Sequence, residues 1–197
     1  MIFRRLAVLL SAGALAVGIS AASAGIAHAV TPDPNWNELV SSWAHAGNTM
    51  CVDDPSHSTT FNTRLQLFHC HGYASNGAPQ RWFFNPTFTE DGTAAYVIYL
   101  ANTLSTGGDD PNDFMCIHYY NDDRWDGQPM ALGNCYPREI DWVMEPGNPG
   151  ISDNNFMLRD SENNLCLSAA NFSDSNGTPL IAATCNPYDP TQDFWLG

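Results

Sequence analysis

The hydrophobic positions of this chain occur in short runs, and most runs end at a cluster of turn-forming residues. Stretches such as "ELVSSW", "AAYVIYLA" and "FMLRD" are apolar or alternate between apolar and polar residues, with Gly, Pro, Asn and Asp between them. No stretch of ten or more residues keeps a convincing helical period. The 15 glycines and 13 prolines fit many tight turns. The pattern predicts an all-β protein.

The cysteines divide these segments into three copies of one unit. Each first cysteine follows an apolar residue and precedes an aliphatic one, in "NTMCVDD", "DFMCIHY" and "NNLCLSA", and a Trp follows each second cysteine. The spacing is 19 positions in every copy: Cys51 to Cys70, Cys116 to Cys135, and Cys166 to Cys185. Six cysteines allow 15 pairings, but the recurring interval makes one disulfide within each unit the simplest. Three such units must share one core.

The units cover residues of about 37–94, 95–149 and 150–197. The second contains an insertion, "STGGDDPND" at 105–113, which we expect to be an exposed polar loop. We also expect Trp82, Trp142 and Trp195, one from each unit, to pack in the shared core, since buried aromatic side chains contribute large areas to such cores.

The first 29 residues have the features of a secretory signal peptide. Arg4 and Arg5 precede an apolar run, and small residues lead to Ala27-His28-Ala29. A membrane anchor is the alternative, but serines and glycines interrupt the run. We expect cleavage after Ala29, with Ala22-Ser23-Ala24 as the competing site, and a secreted protein. Residues 30–36 would form a loose tail, and 37–197 a single domain.

The acidic composition limits the partners. The sequence has 21 acidic and 7 basic residues and a formal net charge of −14. Such a surface repels nucleic acids and anionic membranes, so we expect neither as a partner, and no membrane insertion. We expect no cofactor and no metal, because His69 and His71 lie on either side of a cysteine that is expected to be oxidised. No nucleophile, base or metal set of an enzyme is evident.

The three repeats, their cysteines and Gln80-Arg81-Trp82 resemble the ricin-type β-trefoil lectins and carbohydrate-binding modules. The resemblance covers residues of about 37–197 and implies a β-trefoil fold and carbohydrate binding. Only the first unit has a full Gln-x-Trp. The second has Ile140-Asp141-Trp142, and the third extends the motif to Gln192-Asp193-Phe194-Trp195.

The resemblance also implies a sugar site in the first unit. Ricin-type lectins use the residue two after the first cysteine and an aromatic residue two before the second. Asp53 would accept hydrogen bonds from sugar hydroxyls, Phe68 would stack on the ring, and Gln66 would add a hydrogen bond. Gln80 would hold Asp53 in place. Pro79 replaces an asparagine that is usual in the family, and Phe is a poorer platform than Trp or Tyr, so the affinity should be weak.

The other two units lack this set. His118 and Ser168 stand where Asp53 does, and Gly133 and Ala183 replace Phe68. We therefore expect one sugar site, for a galactose-type sugar or a plant or microbial polysaccharide. The alternative is a protein-interaction trefoil, such as a toxin accessory subunit or an inhibitor, with decayed sugar sites. An exposed aromatic cluster would support it, and the candidates are Trp36, Trp43, Tyr119, Tyr120 and Trp125.

Overall fold

The computed structural model describes residues 32–33, 36–43, 49–72, 78–104, 114–135, 140–152 and 154–197. The expected signal peptide at 1–29, most of the tail at 30–36 and the insertion at 105–113 lie outside these residues. None of the helices in the described ranges has the length and hydropathy that a membrane-spanning helix requires.

Twelve short strands form the framework of the described residues. They are β1 (Asn37–Ser41), β2 (Met50–Asp53), β3 (Gln66–His69), β4 (Arg81–Phe88), β5 (Ala94–Leu100), β6 (Met115–Tyr119), β7 (Met130–Asn134), β8 (Trp142–Pro146), β9 (Phe156–Asp160), β10 (Leu165–Ala169), β11 (Thr178–Thr184) and β12 (Phe194–Leu196). The helical elements among these residues are single turns: α1 (Ala101–Leu104) and 3-10 turns at Pro55–His57, Ala78–Gln80, Tyr120–Asp122, Ala170–Phe172 and Pro190–Gln192.

The strands pair in a threefold arrangement. Six of them form a closed ring of antiparallel pairs, in the order β1, β4, β5, β8, β9, β12 and back to β1. The other six form three hairpins, β2–β3, β6–β7 and β10–β11. Each repeat therefore contributes two strands to a barrel and one hairpin. This arrangement is the β-trefoil that the sequence predicts.

The hairpins touch one another as well as the barrel. Arg64 bridges to Ala131 of the second repeat, and Pro129 of the second repeat bridges to Ile181 of the third. Strand β11 pairs with β3 and so closes the circle. The three hairpins thus share one core with the barrel, because no repeat buries its apolar face alone.

One large aromatic side chain from each repeat lies in this core. Trp82 and Trp142 are fully buried, and their Nε1 atoms donate to the carbonyls of Val52 and Ile117, 3.0 and 3.4 Å away. In the third repeat the core residue is Phe194, while Trp195 is 38% exposed. The prediction for Trp195 is therefore wrong. Phe194 stands two residues after Gln192, as Trp82 does after Gln80, and the alternation along β12 turns the next side chain outward.

All three predicted disulfides are present. They join Cys51 to Cys70, Cys116 to Cys135 and Cys166 to Cys185. In every repeat the bridge joins the first strand of the hairpin to the residue directly after the second strand. It fixes the hairpin and, in the chain-entropy account, stabilises the fold by roughly 3 kcal/mol for a loop of this length.

Candidate functional site

The first hairpin brings the predicted site residues onto one face. Its register places Asp53 opposite Gln66 and Cys51 opposite Phe68. Leu67, between Gln66 and Phe68 on β3, is fully buried in the core. Gln66 and Phe68 therefore point to the other face of the hairpin, where both are half-buried. The sequence spacing of two is what puts the amide and the aromatic ring side by side.

The Asp53 carboxylate is held from both sides. Gln66 Nε2 donates to Oδ2 at 2.8 Å, and Gln80 Nε2 donates to Oδ1 at 3.1 Å. The side chain is only 4% exposed. Each carboxylate oxygen accepts about two hydrogen bonds, so each keeps one acceptor position beyond its amide donor. The arrangement presents two adjacent, rigidly placed acceptors.

Gln80 also fixes the backbone around the second cysteine. Its Nε2 donates to the His69 carbonyl at 2.9 Å, and its Oε1 accepts from the backbone N–H of His71 at 2.8 Å. Gln192 makes the same two bonds in the third repeat, to Thr184 and Asn186. The glutamine therefore has a structural role in both repeats, and in the first repeat it carries the added contact to Asp53.

The sequence reasoning missed His71, which borders the Phe68 ring. The two rings are stacked, with their centroids 5.7 Å apart and their planes at 26°. His71 thus covers part of Phe68, and a ligand would use the remaining face or move the imidazole aside. The sequence signal for His71 was its position directly after Cys70, three residues from the predicted stacking ring of Phe68.

In the second repeat the same hairpin face is filled by protein. The register places His118 opposite Ala131 and Cys116 opposite Gly133, matching Asp53–Gln66 and Cys51–Phe68. His118 is 1% exposed, and its Nδ1 lies 3.2 Å from Asp122 Oδ1. A Cβ atom on Gly133 would overlap the His118 side chain. The histidine therefore occupies the space that the missing aromatic ring leaves.

The third repeat is closed in a different way. Ser168 stands opposite Ile181, and its hydroxyl is hydrogen-bonded to the hydroxyl of Thr191 at 2.9 Å. Both residues are 2% exposed. A hydroxyl pair with both members buried offers no charged acceptor to a ligand, so Asp53 has no counterpart here.

A second carboxyl group, Asp54, lies next to Asp53 and is fully buried. Neither of its carboxyl oxygens has a hydrogen-bond partner among the described residues. Burial, with a contribution from the negative charge of Asp53, raises the pKa of Asp54 to about 8. Asp54 is therefore mostly protonated at neutral pH, so its carboxyl group does not repel the negative charge of Asp53.

Tyr119 occupies the position of Asp54 in the second repeat, the third residue after the first cysteine. It is 1% exposed, and its hydroxyl donates to Asp160 Oδ2 at 2.7 Å. Tyr119, one of the candidates for an exposed aromatic cluster, is therefore not part of one. Trp125 is 55% exposed, Trp36 packs against Phe83, and Trp43 packs against Phe172.

The sequence matches the ricin-type beta-trefoil lectin domain over residues 43–194, more than half of the chain. The chain belongs to this family. The ricin-type fold is confirmed by the closed barrel, the three hairpins and the three disulfides. A comparison with curated protein sequences finds no match.

Solved structures show the same fold at low sequence identity. The designed threefold-symmetric protein ThreeFoil is 15% identical, with a TM-score of 0.62, over 82% of this chain and 97% of its own. The Rhizoctonia solani agglutinin is 12% identical, with a TM-score of 0.61, over 85% and 96%. A Macrolepiota procera ricin B-like lectin, solved in complex with lactose, is 15% identical, with a TM-score of 0.57, over 85% and 97%. At these identities the likeness shows the ricin-type fold alone.

Proposed function

We propose that this protein is a secreted, non-catalytic lectin whose hairpins carry one sugar site, at Asp53, Gln66, Phe68 and Gln80 of the first repeat. The observation that carries the proposal is the Asp53 carboxylate, held by two glutamine amides beside a half-buried phenylalanine. The equivalent places in the other repeats hold a buried histidine and a buried serine.

The chemistry of this site suits a neutral sugar. Two neighbouring hydroxyls of a pyranose ring can each donate to one oxygen of Asp53, and hydrogen bonds to a charged acceptor are stronger than neutral ones. The C–H face of the ring packs on an aromatic side chain, for which Phe68 provides the surface. The amides of Gln66 and Gln80 fix the carboxylate before binding, so little freedom is lost when the ligand arrives.

The class of sugar is the open part of the proposal. The Macrolepiota procera relative was solved with lactose, which supports a galactose-type ligand. A plant or microbial polysaccharide is the other candidate. We expect weak binding in either case, because one site gains no avidity and because His71 covers part of the Phe68 ring.

Secretion and the lack of catalysis are parts of the same proposal. The charged and apolar leader supports export, and three disulfides suit an oxidising compartment. The candidate site holds one carboxylate at the hairpin face, whereas most glycosidases use a facing pair. The ricin-type family acts by binding, and this supports a non-catalytic role.

A protein-binding role is the second candidate. The loss of the acidic acceptor in two repeats favours it, because a lectin usually gains avidity from several sites. The burial of Tyr119 weakens it, since this residue contributes nothing to an exposed aromatic patch.

The proposal is tested by a glycan array followed by calorimetric titration of the best ligand. Asp53→Asn keeps the shape of the side chain and removes its charge, so we expect an affinity loss of about ten-fold or more. Ser168→Ala is the matched control, since it changes the equivalent position of the third repeat and should leave binding unchanged. Equal binding by wild type and Asp53→Asn would refute the site.

A further inference from the structure

A separate cavity of about 270 Å³ lies where the first repeat meets the third. It is lined by the residue after β1, by the segment that leads into β9 and by β12; these residues are Ser42, Ile151, Ser152, Asn154, Asn155 and Trp195. It shares no residue with the first-repeat site. Its volume is just under the usual range of small-molecule pockets, which starts at roughly 300 Å³.

The walls of the cavity combine apolar and polar groups. Trp195 and Ile151 are 38% and 42% exposed, so both offer apolar surface to a ligand. Ser152 and Asn154 are exposed and bring a hydroxyl and an amide. The lining residues that the structure describes are all uncharged. An aromatic ring beside hydroxyl and amide groups suits a ligand with one apolar face and a polar edge.

Trp195 is special to the third repeat. The residues at its place in the other repeats are Phe83, which packs against Trp36 and Tyr99, and Val143, which is 6% exposed. Trp195 instead faces outward from β12, because Phe194 takes the core position. The shift of the aromatic residue by one place therefore puts a large ring on the surface.

Two further lining residues carry unused hydrogen-bonding atoms. Ser42 Oγ and Asn155 Oδ1 are buried and have no partner among the described residues, and Asn155 is 6% exposed. Asn155 is positioned by its Nδ2, which donates to the Asn148 carbonyl at 3.2 Å. A ligand hydroxyl that draws Ser42 Oγ towards the cavity would gain a hydrogen bond and break none, which is an unusual situation for a buried polar group.

Asp193 contacts two residues that line this cavity: its backbone carbonyl accepts from the Ser42 N–H at 2.8 Å, and its side chain is hydrogen-bonded to Asn155. Its Oδ1 accepts from the Asn148 backbone N–H at 2.8 Å, and its Oδ2 has no partner among the described residues. A Cβ atom on Gly147 would overlap Asp193 and Asn155, so only glycine allows this close approach. Burial raises the pKa of Asp193 to about 6.

We propose that the cavity between Ser42, Asn154 and Trp195 is a second glycan-binding site, which takes a single neutral pyranose ring. The ring stacks on Trp195 and directs its hydroxyls to Asn154, Ser152 and Ser42. The described lining residues are uncharged, and the chain has a net charge of −14, so the cavity favours a neutral ligand over an anionic one. The volume favours one ring over an oligosaccharide chain.

The test is an NMR titration of the purified protein with four probes: methyl β-galactoside, methyl α-glucoside, methyl α-mannoside and N-acetylgalactosamine. We expect at least one probe to shift the Trp195 indole N–H and the Asn154 amide with a common, saturable curve. Trp195→Ala should weaken this binding ten-fold or more, read at the Asn154 amide, and Trp195→Phe should restore part of it.

Three controls separate this site from the first-repeat site. Asp53→Asn should leave the shifts at Asn154 unchanged, and Trp125→Ala should also leave them unchanged, because Trp125 is an exposed tryptophan outside the cavity. Asn154→Ala changes an exposed side chain, so it tests the site without a folding risk and should weaken binding several-fold. The proposal is overturned if no probe shifts these signals, or if Trp195→Ala and Asn154→Ala bind as wild type.

Discussion

The first and second hairpins share their framework and differ on their outward face. Both have a disulfide at the same interval and a tryptophan that donates to the carbonyl after the first cysteine. The outward face carries Asp53 and Phe68 in one repeat, and His118 packed over Gly133 in the other. The fold constrains the inward side chains through packing, whereas the outward ones are free to build a site or to fill it.

The shared framework gives the largest expected effect. Trp82→Ala removes a fully buried ring and its hydrogen bond, and we expect a loss of about 3–5 kcal/mol in the free energy of unfolding. Trp142→Ala should cost a similar amount, since it has the same place in the second repeat. Urea unfolding measures both. A loss below about 1 kcal/mol for one of them would show that the two tryptophans do not contribute equally to the stability of the fold.

Asp54 and Tyr119, the third residues after the first cysteines of their repeats, predict a difference in how the stability depends on pH. In the unfolded chain Asp54 ionises above its ordinary pKa of 3.8. In the folded protein its pKa is about 8, so it ionises only as the pH approaches and passes that value. The unfolded state therefore releases its proton first, and stability falls as the pH rises through this window. Allowing for screening by nearby water, we expect a loss on the order of 2 kcal/mol.

Asp54→Asn provides the control, because an amide does not titrate. Thermal unfolding at a series of pH values should show a flatter profile for Asp54→Asn than for wild type between about pH 4 and pH 8. Tyr119→Phe, at the same place in the second repeat, should leave the wild-type slope in place. Parallel profiles for wild type and Asp54→Asn would contradict the assignment.

The filled face of the second repeat predicts a smaller effect. Gly133→Ala places a methyl group against His118, and we expect a loss of about 1–3 kcal/mol from overpacking. The same substitution in a His118→Gly background should cost much less, because the atom closest to the added methyl group is His118 Cβ, at 2.5 Å, which alanine would keep. Chemical denaturation of the four proteins forms a double-mutant cycle. A cycle without coupling would show that His118 does not fill the place of the missing ring.

The glutamines of the first and third repeats predict a modest change in stability and a contrast in sugar binding. Gln80→Ala and Gln192→Ala each lose two bonds to backbone groups, and we expect similar losses of about 1–3 kcal/mol. Gln80 also holds Asp53, so Gln80→Ala alone should weaken sugar binding. Equal sugar affinities for the two variants would remove Gln80 from the site.

The sequence contains the framework because spacing encodes it. Three intervals of 19 residues are enough to predict the repeats and the disulfides. Each bridge lies within one hairpin, so the same number of residues separates its two cysteines in every repeat. Trp195 shows where residue identity misleads: the place two after the glutamine decides which aromatic residue is buried, and Phe194 holds it.

The remaining features depend on contacts that no local pattern reports. The sequence shows that His118 and Gly133 replace the site residues, but only the packing shows that one fills the space of the other. The burial of Tyr119 depends on Asp160 of the next repeat, 41 residues away. The cavity at Trp195 is lined by residues of the first and third repeats, which are far apart in the sequence, so no local pattern predicts it.

The most direct test of the first-repeat site is a crystal structure with the best sugar from the glycan array. The account predicts a pyranose ring on Phe68, with two adjacent hydroxyls donating to the two Asp53 oxygens at about 2.5–3.0 Å. A sugar bound only elsewhere, with Asp53 still enclosed by Gln66 and Gln80 and touching no ligand, would contradict it.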